Sequence, residues 1–384
     1  MWYFTIPPKI IFGENALEGL SEELEDAKKI LIVTDKVVRG LGFLDKITDN
    51  LKTKEILVFD DVEPESSLET IRKGSQACTS FEPDWIIALG GGSVIDTAKG
   101  IWFSYERPDL DLLADFDPFE KLGLGCKAKL VAVPTTSGTG SDATWASIVA
   151  DTTEKRKVTF ASREIIPSIS VLDPLLPAKM PKKLTVSTAL DALTHAVEAF
   201  MSTWANDFSD AFALHALTLI FKYLPKAVAE GSKDLLVREK IHNAATMAGI
   251  AFGNSQVGIA HSMGHAIGAA FRIPHGVAVS IALLPSLEFS LEEAKEKLEA
   301  LGNNLGYKGA ETFIEAIRNL MQTVEAPLTY AELISNRNDF LKALPRLVDL
   351  ANGETGTVMS PRVPTYEEFE KLFLYTYDGK KIDF

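Results

Sequence analysis

Cysteine is scarce in this chain: 384 residues hold only Cys78 and Cys126. Two cysteines with no metal-type spacing exclude a disulfide framework and suit a reducing, cytoplasmic setting. Positive charge is also short, with 39 Lys and Arg against 53 Asp and Glu, a net charge of −14. That balance weighs against a nucleic-acid partner or an anionic membrane surface. Long apolar runs are missing too. GVAVSIALLP (276–285) is too short to span a membrane, and the opening MWYFTIPPKIIFG lacks the basic and apolar regions of a signal peptide. No internal repeat, low-complexity tract or long flexible linker appears. What is present is ordinary for a soluble globular protein, 46% hydrophobic and 24% charged, at a length that suits two domains.

The first half alternates short β-rich runs with helical patterns. KKILIVTD (28–35), EILVFD (55–60), DWIIALG (84–90), KLVAVPT (129–135) and SISVLD (168–173) read as strands. Such runs between helices indicate a parallel sheet covered on both faces. Ser66 and Glu69 are placed to form a capping box before the helix LETIRKGSQAC. Prolines 174, 177 and 181 then punctuate a loop, and from Leu184 onward nearly everything reads as helix. The fold class expected is an α/β dinucleotide-type domain with a parallel sheet (1–180), followed by an all-helical domain (181–384), with a cleft between them for ligand.

Two loops follow expected strands. In DWIIALGGGSVIDTAKG, Gly90, Gly91, Gly92 and Ser93 stand between strand and helix. Glycines permit close backbone approach to a phosphate, and a helix N-terminus offers free N–H groups. The plain alternative is a strand-to-helix turn capped by Ser93; Ile95 holds the place of the third glycine of the usual fingerprint. KLVAVPTTSGTGSDAT (129–144) supplies the second loop, Thr135 to Ser141, all hydroxyl or glycine. Two such loops at carboxyl ends of parallel strands suit one pyrophosphate and its riboses. Asp35, at the end of ILIVT, suits either a ribose or the cap of the next helix, and the ribose role is favoured.

The other polar signal sits inside apolar sequence. DALTHAVEAF (191–200) is helical by composition, and Asp191 and His195 lie one turn apart. With Ser187, Thr188, Thr194 and Glu198 they form one narrow polar stripe on an otherwise apolar helix, which therefore reads as buried. Buried carboxylate and imidazole groups need partners or a metal. Four of the six histidines, His195, His261, His265 and His275, fall here and in AHSMGHAIGAAFRIPHGVAV (260–279). His275 reads as lying in a turn beyond the helix that carries His261 and His265. His215 and His242 read as structural. Asp191, His195, His261 and His275 would suit a divalent transition metal, and Glu198 either supports that shell or satisfies a nearby backbone group, the structural reading being favoured. Phe252, Phe271 and Ile273 line a small, weakly polar substrate or belong to the core.

GGGSVIDTAKG, PTTSGTGSDAT, DALTHAVEAF and HSMGHAIGAAFRIPHGVA, in that order over nearly the whole length, resemble the iron-dependent (group III) alcohol dehydrogenases. The resemblance implies the architecture shared with dehydroquinate synthase. It implies Asp191, His195, His261 and His275 as metal ligands, with Fe2+ ahead of Zn2+. Gly91, Gly92, Ser93, Thr135, Thr136 and Thr139 match its cofactor contacts, and Lys157 and Leu172 match two further ones. Asp35 matches an acidic position that goes with NAD rather than NADP. His265 matches a histidine near the nicotinamide; it is expected not to bind the metal, and an unperturbed pKa of about 6.5 suits proton relay. Asp142 departs from the glutamate common in the family.

The function implied is reversible hydride transfer between a small alcohol or aldehyde and a nicotinamide, by a homodimer or higher homo-oligomer. Glycerol dehydrogenase is the nearer alternative. A lyase of the dehydroquinate synthase type needs basic residues for its multiply anionic substrate, and Arg272 is the sole Lys or Arg between 251 and 290. A nucleotide-binding regulatory protein would have broken ligand positions, and all four are intact.

Overall fold

The computed structural model describes residues 2–64, 66–113, 117–151, 156–230 and 234–384, without the side chains of residues 151, 156, 157 and 230. The chain divides into two compact units, Met1–Met180 and Pro181–Phe384. In the first unit the order is β1 (Lys9–Phe12), α1 (Leu20–Glu23), β2 (Lys29–Val33), α2 (Lys36–Gly40), α3 (Phe43–Asn50), β3 (Glu55–Phe59), α4 (Leu68–Phe81), β4 (Trp85–Gly90) and α5 (Gly92–Glu106). β5 (Lys129–Pro134), β6 (Ala146–Asp151), β7 (Arg156–Ala161) and β8 (Ile169–Leu172) follow.

Six strands form one parallel sheet in the order β1-β8-β5-β4-β2-β3. Alternate residues feed opposite faces. Leu31, Val33, Ile86, Ala88, Leu130 and Ala132 enter one core. Ile30, Ile32, Ile87, Leu89, Val131 and Val133 enter the other. A strand buried on both faces has no polar side, which is why these runs are continuously apolar. β3 lies outside β2, and β4 lies on the other side of β2, so the strand order reverses between β2 and β4. Crevices at such a reversal, beyond the carboxyl ends of the strands, are where ligands of open α/β sheets bind.

All five strands read from the sequence are present, trimmed by a residue or two at their ends. β1 and the antiparallel β6–β7 hairpin are additional. The cap of α4 also differs: Ser67, not Ser66, accepts from Thr70 N, while Ser66 Oγ donates to Ser93 O at 2.7 Å. Ser67 alone has the extended backbone of a cap followed directly by helix.

The second unit is helical among its described residues. It contains α6 (Lys182–Met201), α7 (Asp207–Glu230), α8 (Leu235–Gly253), α9 (Ile259–Phe271), α10 (His275–Phe289), α11 (Lys295–Asn304), α12 (Ala310–Thr323), α13 (Arg337–Asn352), α14 (Thr355–Met359) and α15 (Tyr366–Asp378). Every residue of α6 from Ala189 to Met201 is buried, as a helix apolar nearly all round requires. α7, α8 and α10 pack around it. Lys297 closes the C-terminal end of α6 by donating to Ser202 O at 2.8 Å. α7 is long and apolar enough to cross a membrane over Asp207–Ala229, by length and composition. Its scattered charges hid that from the sequence reading, and it packs against α6 and α8.

Candidate metal centre and dinucleotide loops

Three helices of the second unit bring four donors together. Asp191 and His195 come from adjacent turns of α6, His261 from the first turn of α9, and His275 opens α10. Their ligand atoms all lie within 4.8 Å of one another. Asp191 Oδ1 stands at the middle, 3.3 Å from His275 Nε2, 3.7 Å from His261 Nε2 and 4.0 Å from His195 Nε2. Two donors that share one ion, each about 2.1 Å from it, stand about 3.5 Å apart in a tetrahedral arrangement; the two shorter separations are near that value, and the wider ones close on an ion with a small side-chain adjustment. Asp191 Oδ1 and His261 Nε2 are buried and have no hydrogen-bond partner among the described residues. Buried polar atoms that converge without partners are what a cation would satisfy. His265 is outside the group of four.

Local sequence explains the placement. Arg272 ends α9 in a left-handed conformation (φ 54°), and Pro274 caps α10, so His275 is the first helical residue rather than part of a turn. Gly276 follows because a Cβ there would lie 2.3 Å from Ser187 O of α6. Without a side chain, α10 can abut the α6 backbone and deliver His275 to Asp191. Phe252 of α8 stacks on His195, ring centroids 4.1 Å apart, so this aromatic does sit at the site.

Glu198 makes both of the contacts that the sequence leaves as alternatives, one to a backbone group and one to a histidine of the cluster. Its Oε1 accepts from Ala260 N at 2.7 Å, at the start of α9. Its Oε2 meets His261 Nδ1 at 2.5 Å. That contact orients His261 and leaves Nε2 to face Asp191. Burial opposes charge on His261, but Glu198 and Asp191 outweigh it and push its pKa up to about 9. Burial likewise opposes charge on Asp191, yet His195 and His275 hold its carboxyl well below the usual range. His265 behaves differently. Burial pulls it down to about 4, although its Nδ1 lies 3.3 Å from Glu354 Oε1. Titration near neutrality, expected from the unperturbed imidazole, thus moves to acid pH. Arg272, the one basic residue of this stretch, is exposed at the end of α9.

In the first unit, β4 and β5 pair Gly90 with Pro134, and Thr135 N donates to Gly90 O at 3.0 Å. The glycine loop and the hydroxyl loop therefore start side by side. Gly91 is the cap of α5 and Ser93 lies inside the helix, so the plain reading of Ser93 as cap does not hold. Thr135 is buried, while Thr136 and Thr139 are partly exposed. Asp35 follows β2, the neighbour of β4, and its Oδ1 accepts from Val38 N at 2.8 Å as the cap of α2. Leu172 ends β8 with its side chain buried. Lys157 falls in β7, but its side chain lies outside the described residues.

Comparison with known proteins agrees with these motifs. Residues 7–174 match the model of the family described as iron-containing alcohol dehydrogenase, and residues 185–377 match that of its C-terminal region. The chain is 36% identical over 392 residues to an NADPH-dependent butanol dehydrogenase from Clostridium saccharobutylicum, covering all of both chains. It is 35% identical over 408 residues to aldehyde-alcohol dehydrogenase 2 from Entamoeba histolytica; this match takes in 98% of the chain but 46%, about half, of that relative. Among solved structures, an iron-containing alcohol dehydrogenase from Thermococcus thioreducens superposes with a TM-score of 0.91 at 30% identity, covering 99% of this chain and 100% of that one.

Proposed function

The chain belongs to the iron-containing alcohol dehydrogenase family, an oxidoreductase class that works with a nicotinamide dinucleotide and an iron-type metal, and on that premise we propose that it interconverts small alcohols and their aldehydes with NAD as the preferred cofactor. The observation that carries the reading is the buried Asp191, His195, His261 and His275 cluster with its unsatisfied Asp191 Oδ1 and His261 Nε2. A bound divalent ion, Fe2+ ahead of Zn2+, supplies Lewis acidity toward an alcohol or carbonyl oxygen, and the nicotinamide carries the hydride.

The protein's own groups do the rest. Asp191 offers a negative charge held ionised by its histidine neighbours. Glu198 accepts the Nδ1 proton of His261, which leaves Nε2 as the nitrogen that binds a metal once its own proton is displaced. Phe252 pins the His195 ring plane and contributes apolar surface suited to a short aliphatic substrate. His265, its Nε2 without a partner among the described residues, is neutral at neutral pH, with one nitrogen to donate and one to accept. A neutral imidazole can pass a proton from alcohol toward solvent, and burial, by lowering its basicity, works against that role. The glycine and hydroxyl loops bind the dinucleotide through Gly91, Gly92, Ser93, Thr135, Thr136 and Thr139.

NAD is put first because of Asp35. The exposed cations near it, Lys36 and Arg39, face further carboxylates, Asp61 at 3.1 Å and Asp60, so the local charge is balanced rather than basic. The Clostridium relative's name points the other way for that protein and directs the substrate panel to butanol. A cytoplasmic setting fits the two free thiols, and a homodimer or higher homo-oligomer is the assembly to look for by sedimentation. The test is metal analysis of fresh protein together with ethanol-to-butanol alcohols and aldehydes against NAD and NADP. Turnover that is abolished by chelation and restored by Fe2+ is expected. Absence of turnover with every short alcohol and aldehyde, in protein carrying stoichiometric metal, defeats the proposal.

A further inference from the structure

Lys99, two turns along α5 from Gly92, is fully buried. Its Nζ donates to Ser141 Oγ at 3.2 Å, Thr144 O at 2.8 Å, Thr144 Oγ1 at 3.1 Å and Ala146 O at 2.8 Å. Asp96, one turn earlier on the same face, accepts from Ser141 Oγ and, at 3.0 Å, from Ile148 N. Ser147 Oγ donates to Asp96 O at 3.0 Å. Asp142 accepts from Ser170 Oγ of β8 at 2.7 Å. Residues 141–148, the stretch that leaves the hydroxyl loop, are thus fastened to α5 by two side chains one turn apart.

A cation is a costly fastener. Burial pulls the Lys99 amine down to about 8 even with Asp96 and Asp142 close by. Apolar side chains replace buried charged groups at little or no cost in stability where only packing is at stake. An ammonium, by contrast, has directional donors and fixes where its acceptors lie. The loops above have little slack: a Cβ on Gly92 would stand 2.7 Å from Thr139 Cγ2. A small shift of the hydroxyl loop would therefore change the space at the N-terminus of α5.

We infer that Lys99 is a positioning residue for the dinucleotide pyrophosphate, setting the distance between the N-terminus of α5 and the hydroxyl loop without touching the cofactor. The inference rests on the dinucleotide reading of those loops. It is tested by calorimetric titration of metal-loaded wild type and Lys99→Met with ADP and, separately, with adenosine, which lacks the phosphates. ADP is expected to bind about tenfold more weakly to the variant, the scale of one charged hydrogen bond, with adenosine affinity and metal content unchanged. If Lys99→Met does not fold, Ser141→Ala, which removes one bond to Lys99 and one to Asp96, carries the test with a loss of about threefold. Unchanged ADP affinity overturns the inference. So does an equal loss for ADP and adenosine, which marks general distortion of the first unit. If wild type binds neither ADP nor NAD, the dinucleotide reading fails at its root and takes the inference with it, an outcome visible before any variant is made.

Discussion

Among the described residues each unit buries a charged cluster, one around Lys99 and one around Asp191, and the two treat their charges in opposite ways. Around Lys99 three N–H protons meet four acceptors, and Asp96 accepts on both carboxylate oxygens. Around Asp191 three imidazole nitrogens converge on one oxygen that has no hydrogen bond among the described residues. A closed polar network fixes geometry, whereas an open, convergent one is costly unless something else completes it. Charged side chains buried in the two units therefore mean different things, and satisfaction of the donors and acceptors tells them apart.

The sharpest way to break this contrast is to remove a donor from the open cluster. His275 is the most exposed of the four, its side chain 28% accessible, so its loss should leave the helical core standing. His275→Ala should lose its metal and more than ~100-fold in activity, a larger effect than removing an outer partner. Far-UV circular dichroism should be retained. A variant that still carries stoichiometric metal would show that His275 is no ligand.

Next comes the partner behind the ligands. Glu198→Gln can still accept from Ala260 N, but its amide then donates toward His261 Nδ1. The imidazole would then keep its proton on Nε2, the nitrogen that faces Asp191, and give it up less readily to a metal. Metal affinity should fall by about 10- to 100-fold, read by competition with a chromogenic chelator. Unchanged affinity would reduce Glu198 to a cap for α9.

Buried His242 of α8 sharpens the comparison from a third side. Burial lowers it from 6.5 to about 4, so the folded protein refuses a proton that the unfolded chain takes up. Stability from this group is fully present above pH 6.5 and is lost as pH falls toward 4. The gap between 6.5 and about 4 amounts to about 3 kcal/mol at most. In urea unfolding of metal-free protein at pH 7 and pH 4.5, His242→Gln should lose less stability than wild type. Parallel losses would mean that His242 does not drive the acid limb.

What could be read in advance was local. Asp191 and His195 share a face because of helical spacing, and the strands of the parallel sheet announce themselves as apolar runs. The remainder depends on contacts far apart in the chain. β1 is four residues with half-exposed sides, and it exists by pairing with β8 some 160 residues later, Lys9 opposite Ile169. Glu198 meets His261 across 63 residues, and His265 meets Glu354 across 89. Pro274 is legible as a break but not as a cap, which is why sequence alone puts His275 in a turn. Lys99 and Asp96 stood in plain sight in the glycine-loop motif. Their role depends on where Thr144 and Ala146 lie, which no spacing along the chain reveals.

The smallest expected effect concerns a charge that is neither buried nor convergent. Asp35 is partly exposed, and its one established task is to cap α2 through Val38 N. It stands beyond β2, next to the strand that leads into the glycine loop, where an adenosine ribose would lie. In water, a carboxylate about 5 Å from a doubly charged 2′-phosphate costs roughly 1–2 kcal/mol. NAD should accordingly be favoured over NADP by about tenfold. Asp35→Gly would remove the charge and the cap together, and so confuse the two roles. Asp35→Asn keeps an oxygen for Val38 N and discards only the charge. Its ratio of kcat/KM for NAD over NADP should narrow toward unity, with thermal stability unchanged, and the wild-type ratio should shrink as salt is added. Equal use of both cofactors by the unmodified protein, or an unaltered ratio in Asp35→Asn, would leave Asp35 as a helix cap and shift the origin of cofactor choice to other residues.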